Sequence, residues 1–317
     1  MTIILILICV FLAILLGLWL WGEQWHPLRP STLRFMHQVG LKQILNGSAL
    51  HGYFYGRWVK EYIGLLIHHI FPRVGSRGKL WLSNHYHGKV LTPEQAKAII
   101  TNEKEVSLRD LEQVIPYSMA RNLVLKGPPD IAVFQCGCRQ NRANPCQPVE
   151  VCMVIGQPFV DFVLEHHPRS SRRLTQAEAL ELLKEEHERG HLHSAWFKDV
   201  LLNRFYAICN CCKCCCGGIE AMVKYGAPMM VSSGYVAKVD DSNCTACGTC
   251  VGTCPFSALS IDDEVLKVSW KDCMGCGVCE AQCPCQAIAL VRDEKKGIPL
   301  DVQLLAQEQV KHQAGML

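Results

Sequence analysis

The sequence has little net charge, no nucleotide-binding fingerprint and no charged side chain before Glu23. A formal balance of +3, with 19% charged residues, leaves no electrostatic footprint for nucleic acid. Neither a strand-borne G-x-G-x-x-G nor a P-loop occurs, so no nicotinamide or flavin is expected. A cleaved secretory leader would need a basic start and a small-residue cleavage site, and Met1 to Gly22 offers neither.

What that stretch offers is an apolar run from Thr2 to Trp21. About 20 such residues, rising 1.5 Å each as a helix, cross the hydrocarbon core of a bilayer. Trp19, Trp21 and Trp25 cluster where an interfacial aromatic belt belongs. Arg29, Arg34 and Lys42 follow the run and no Lys or Arg precedes it. The positive-inside rule then predicts a single-pass anchor in the cytoplasmic membrane, with the soluble body on the cytoplasmic side. Cys9 reads as a small apolar residue within the span.

Cysteine is the outlying residue, at 20 of 317. Clustered spacings point to metal ligation in a reducing, low-oxygen compartment rather than to disulfides. Cys244, Cys247, Cys250 and Cys254 precede Pro255 in a C-x2-C-x2-C-x3-C-P run, and Cys273, Cys276, Cys279 and Cys283 precede Pro284 in a second. A shift of 29 residues superposes the two, and carries Ala258 onto Ala287, Leu259 onto Ile288 and Ile261 onto Leu290. Runs of this kind hold 4Fe–4S clusters, with the fourth thiolate ligating the other cluster. One cluster is therefore assigned to Cys244, Cys247, Cys250 and Cys283, the second to Cys273, Cys276, Cys279 and Cys254. Zinc knuckles would use paired C-x2-C units instead of a triplet plus C-P. Cys285 is a surplus thiol.

From Val239 to Val291 the chain resembles the dicluster ferredoxins. The resemblance implies two short β-hairpins with helices, related by a pseudo-twofold.

Upstream, Tyr62–Phe71 is apolar but too short to span a membrane, and His68, His69, His85 and His87 lack a partner motif. Capping boxes at Thr92–Gln95 and Thr175–Glu178 start helices, Ser107–Asp110 looks like another start, and a helical stretch is predicted over Ile115–Leu125. Two β-type runs, Ile131–Phe134 and Arg204–Ile208, each lead into cysteines: Cys136 and Cys138, then Cys209, Cys211, Cys212, Cys214, Cys215 and Cys216. If those strands pair, both groups meet at one end of a sheet. Together with Cys146 and Cys152 they make ten thiols, far more than packing needs. A third iron–sulfur cluster is preferred, with Cys136, Cys138, Cys146 and Cys152 as a plausible quartet, while the 209–216 run offers alternatives or a second centre. A four-thiolate zinc site and buried spare thiols are the competing readings. His193 is a candidate ligand or proton donor.

Cys136–Arg139, Gly190–His193 and Ile208–Cys216, joined to the dicluster module, resemble a family of larger 4Fe–4S binding proteins of anaerobes. That resemblance implies architecture and cofactors but no reaction. The expected class is α+β: an anchor over 1–22, a mostly helical region over 23–130, a small α/β Cys-rich domain over 131–232, a dicluster ferredoxin-like domain over 233–295 and a polar tail over 296–317.

Three functions fit. The first is an electron carrier serving a soluble or membrane redox partner, with Arg169, Arg172 and Arg173 available to steer an acidic one. A reductase would have a catalytic cluster in the upstream field, fed by the ferredoxin module. The third is an assembly factor passing clusters on from labile upstream thiolates.

Overall fold

A computed structural model describes residues 2–109 and 111–307. Helix α1 (Thr2–Gly22) is long and apolar enough to cross a membrane, and its side chains project away from the protein, with Ile4, Leu7 and Phe11 all more than 60% exposed. Its last turn is tied down. Trp19 stacks on Tyr53 at 4.9 Å, and buried Glu23 accepts from Thr32 Oγ1 at 2.8 Å.

Short helices follow: α2 (Pro30–Val39), α3 (Leu41–Leu45), α4 (Ser48–Arg57), α5 (Val59–Leu65), which runs into a π turn over Leu66–Ile70, and α6 (Ser76–His85). Ile63, Leu66, Ile67 and Phe71 turn inward, so the apolar segment around them is a buried helix. His68 and His69 stand exposed. The chain then enters β1 (Tyr86–Leu91) and α7 (Pro93–Ile100), which starts on the Thr92/Gln95 capping box.

No helix forms over Ile115–Leu125. The chain instead makes β2 (Glu105–Leu108), turns, and β3 (Leu123–Lys126), paired antiparallel. Pro116 lacks the N–H a helix needs, and Ala120 sits at φ +55°. Leu123 and Leu125 are buried while Val124 and Lys126 are not, which is strand periodicity. Ser107 belongs to β2, and Asp110 lies outside the described residues.

Next come β4 (Ile131–Gln135), α8 (Gly137–Gln140), β5 (Glu150–Ile155), α9 (Phe159–His166), β6 (Ser171–Leu174), α10 (Gln176–Glu188), β7 (Leu192–Lys198), β8 (Arg204–Cys211), α11 (Gly217–Val223) and β9 (Met230–Val231). Seven strands form one sheet, ordered β6-β4-β5-β8-β7-β1-β9, antiparallel except for β1 beside β9. β1 pairs with β7 along its whole length, so the sheet crosses the boundary expected at residue 130. Helices α4, α5 and α9 cover one face, while α7 and α10 cover the other.

The two β-type runs share this sheet without pairing, because β5 lies between them. Both are antiparallel to β5 and hence run in the same direction, so their cysteine-bearing ends reach the same end of the sheet.

The C-terminal part contains β10 (Tyr235–Val239), α12 (Thr249–Thr253), β11 (Leu259–Asp262), β12 (Val265–Val268), α13 (Val278–Ala281) and β13 (Ile288–Arg292). β10 pairs with β13 and β11 with β12. The class is mixed α and β, with a ferredoxin-type C-terminal domain. After it, Leu300, Val302 and Ala306 pack into the core, so this part of the tail is docked. Residues 308–317 lie outside the described residues.

Candidate metal centres

Two small cavities in the C-terminal part have complementary linings. One is bordered by Cys244, Cys247, Cys250 and Cys283, with Cys285 at its edge. The other is bordered by Cys254, Cys273, Cys276 and Cys279. Each takes three thiols from one run and the last cysteine of the other, the crossed arrangement that the spacing predicts. Backbone amides point at the shared thiols: Ala258 N–H donates to Cys254 Sγ and Ala287 N–H to Cys283 Sγ, both at 3.3 Å. Such hydrogen bonds stabilise a thiolate and tune a cluster bound to it. These donors are related by the 29-residue repeat.

The loops are built around left-handed glycines. Gly275 has φ +63°, and a Cβ there would lie 2.2 Å from the carbonyl oxygen of Tyr235. The cavities differ in exposure. Cys247 is exposed, whereas Cys254, Cys273, Cys276 and Cys279 are buried. Burial pushes the Cys279 thiol well above its ordinary range and Cys276 up to about 12, as befits thiols enclosed by apolar side chains.

The ten upstream cysteines divide into two groups. The first is a closed ring. Cys136 adjoins Cys138 and Cys152, Cys152 adjoins Cys209, Cys209 adjoins Cys211, and Cys211 and Cys138 both adjoin Cys216. Register explains the contacts: Cys152 on β5 lies opposite Cys209 on β8, and residues two apart on a strand share a face. Six crowded thiols cannot ionise together. Cys138 and Cys152, followed by Arg139, hold Cys136 well below the usual thiol range, and Cys152 and Cys211 bring Cys209 down to about 7. Their neighbours Cys138, Cys152 and Cys211 are raised in return. Positive charge inside the ring would relieve this competition, so the donor set suits a multi-iron centre.

The ring opens on an apolar cavity of about 100 Å³ between the sheet and α4, α5 and α9. Its lining also includes Tyr55, Tyr86 and Tyr206. The Tyr55 hydroxyl lies 2.5 Å from that of Tyr206 and 3.1 Å from that of Tyr86. Lys198 Nζ sits over the rings of Tyr86, Tyr55 and Tyr62 at 4.7, 4.9 and 5.1 Å. Burial lowers its pKa to about 8.

The second group is Cys146, Cys212, Cys214 and Cys215, joined by His191. Cys146 thus gathers with His191 and Cys212, while Cys136, Cys138 and Cys152, expected beside it, lie in the ring. Cys146 lies on the loop before β5, where its N–H donates to Cys215 Sγ at 3.4 Å. Sequence reasoning passed over His191 in favour of His193. His193 occupies the opposite face of the sheet, with Nδ1 2.7 Å from Asn210 Oδ1 and its ring 5.5 Å from His187. Strand alternation was the available signal: residue 193 pairs with 210, whereas the ring uses 209 and 211. His87 is likewise buried, bonded to the Ser83 carbonyl at 2.8 Å, and His85 bonds the Trp81 carbonyl at 2.7 Å. Arg172 pairs with Glu178, and Arg173 with Asp130 and Asp161.

Residues 237–284 match the family of 4Fe-4S dicluster domains. The C-terminal part is thus a ferredoxin-type, iron–sulfur binding domain. Compared with curated proteins, the chain has no match.

Proposed function

We propose that this protein is a membrane-anchored iron–sulfur electron carrier. Cys244, Cys247, Cys250 and Cys283 would hold one 4Fe–4S cluster, and Cys254, Cys273, Cys276 and Cys279 a second. The crossed lining of the two cavities carries this reading. The six-thiol ring would hold a further iron–sulfur centre. Electrons would arrive at the first cluster, whose Cys247 is exposed, and a soluble or membrane redox protein would be the partner.

Anchoring by α1 is supported by its composition and by an apolar surface beside it. Leu33, Leu41, Leu45 and Leu50 are exposed there by 57%, 78%, 86% and 46%. The basic residues that follow α1 favour a cytoplasmic body. Confinement at the membrane would raise the frequency of encounter with a membrane partner.

One observation favours the reductase as a second reading. A carrier needs only enclosed clusters, whereas here the cavity lined by the ring cysteines is shared with Tyr55, Tyr86 and Tyr206, whose hydroxyls meet one another. A small apolar substrate held there would receive electrons from the ring centre and protons from the tyrosine–lysine group.

The test is iron and acid-labile sulfide per chain on anaerobically purified protein, beside a Cys136→Ser/Cys138→Ser variant. About twelve irons falling towards eight in the variant supports the third centre. About eight irons in both removes it, and with it the reductase.

A further inference from the structure

Outside the thiol ring, the loop before β5 and the start of the Cys212–Cys216 turn bring Cys146 and Cys212 to the His191 imidazole, with Cys214 and Cys215 gathered on the other side of Cys212. Cys146 Sγ lies 3.5 Å from His191 Nε2, and Cys214 Sγ lies 3.4 Å from Cys215 Sγ. The donor atoms of Cys146, His191 and Cys212 all lie within 4.8 Å of one another, as do those of Cys212, Cys214 and Cys215. This spacing fits a single ion, and the imidazole sets the group apart from the ring, whose neighbouring thiols also adjoin one another. A tetrahedral zinc ion, with bonds of about 2.3 Å to sulfur and 2.0 Å to nitrogen, sets neighbouring donors about 3.5–3.8 Å apart. A 4Fe–4S cube places irons and sulfides between its thiolates and holds them farther apart.

The imidazole is oriented for the task. His191 Nδ1 is 2.8 Å from Glu186 Oε2, and Glu186 is fully buried. Arg139 Nη2 lies 3.2 Å from the same ring nitrogen, but its hydrogens go to Glu186 Oε2 at 2.7 Å and to the Asn210 carbonyl at 3.2 Å. His191 therefore keeps its Nδ1 proton for Glu186 and presents the Nε2 lone pair towards Cys146. A carboxylate behind the imidazole is the usual support of a metal-bound histidine.

We propose that Cys146, His191 and Cys212, completed by a thiolate of the Cys214–Cys215 pair, form a mononuclear site for a borderline-soft divalent ion, zinc first. The site uses none of the six ring thiols, although Cys212 also borders the cavity on which the ring opens. With four protein ligands it is closed to substrate, and its role is structural: it clamps the loop before β5 onto the cysteine turn that continues from β8.

The test uses the full chain, purified anaerobically, with zinc, iron and sulfide counted per chain and the zinc K-edge absorption recorded. One zinc with a sulfur shell plus one nitrogen is expected. Zinc should fall to about a fifth or less in Cys146→Ser and His191→Gln. Iron and sulfide should stay at the parent level. His191→Cys separates ligation from folding, since it should retain zinc with an all-sulfur shell. One iron in excess of sulfide, lost in the same two variants, supports the site with iron as its ion. Loss of iron and sulfide together in His191→Gln overturns the proposal in favour of a cluster. Zinc unchanged in both variants, or the absence of both zinc and such an excess iron, also overturns it. In either case the count of ferredoxin-type clusters still tests the carrier reading separately.

Discussion

Cys152 and Cys209 face each other directly across β5 and β8, and this pair closes the thiol ring between two distant parts of the sequence. Cys209 opens the 209–216 run, but Cys152 belongs to no short-range motif. β5 brings Cys152 between the ends of β4 and β8, and Cys136, Cys138, Cys211 and Cys216 complete the circle. Cys152→Ser should therefore lower iron by about four per chain, as the Cys136→Ser/Cys138→Ser variant does, with the ferredoxin-type signals retained.

In the C-terminal domain, the crossed lining of the two cavities predicts paired losses. Cys250→Ser and Cys283→Ser should perturb the same cluster although they lie in different runs. Cys279→Ser and Cys254→Ser should perturb the other. Electron paramagnetic resonance of the reduced variants checks this grouping, and different spectra within a pair would refute it.

Arg139 and Glu186 form a fully buried ion pair at 2.7 Å, 1% and 0% exposed. Burial alone would raise the Glu186 pKa, but His191 and Arg139 outweigh it and hold the carboxylate ionised. Replacing Arg139 with Met removes one buried partner of that charge and leaves Arg189, at 2.8 Å from Oε1, and His191. Breaking a buried pair from one side costs about 3–5 kcal/mol. Urea unfolding of Arg139→Met should show a loss of this size.

His87 is buried between Tyr117 and Phe197, and burial lowers its pKa to about 4. Between pH 6.5 and about 4, the unfolded chain binds a proton here that the folded chain refuses. Stability should therefore fall as the pH drops through this window, by about 1.4 kcal/mol per unit from this group. His166 acts in the same direction, lowered to about 3 by burial and then by Arg57. His87→Phe should flatten the slope by its share, measured by urea unfolding at several pH values.

Membrane attachment predicts that Leu12→Arg, in the middle of α1, weakens fractionation with membranes. A central arginine costs about 2.5–3.5 kcal/mol on insertion scales. Removing residues 2–17 should release a folded protein, because the Trp19–Tyr53 stack and buried Glu23 remain. Sedimentation of the two variants checks both outcomes.

The ferredoxin-type cysteines were legible in the sequence because their chemistry is local. Short loops wrap each cavity, and the repeat shows which thiols are equivalent. The apolar run of α1 was equally plain, since length and composition alone set its capacity to span. The helix expected over Ile115–Leu125 failed because burial of Leu123 and Leu125 beside β2 outweighed weak local preferences. The upstream centres needed the fold. Spacing could not choose among ten thiols, because what assigns a cysteine is which strand it sits on, which neighbour it faces and which side of the sheet it occupies. His191 and His193 are two residues apart in sequence, yet they belong to different environments. Tertiary structure sent His193 to Asn210 and gave His191 to Glu186 and Cys146.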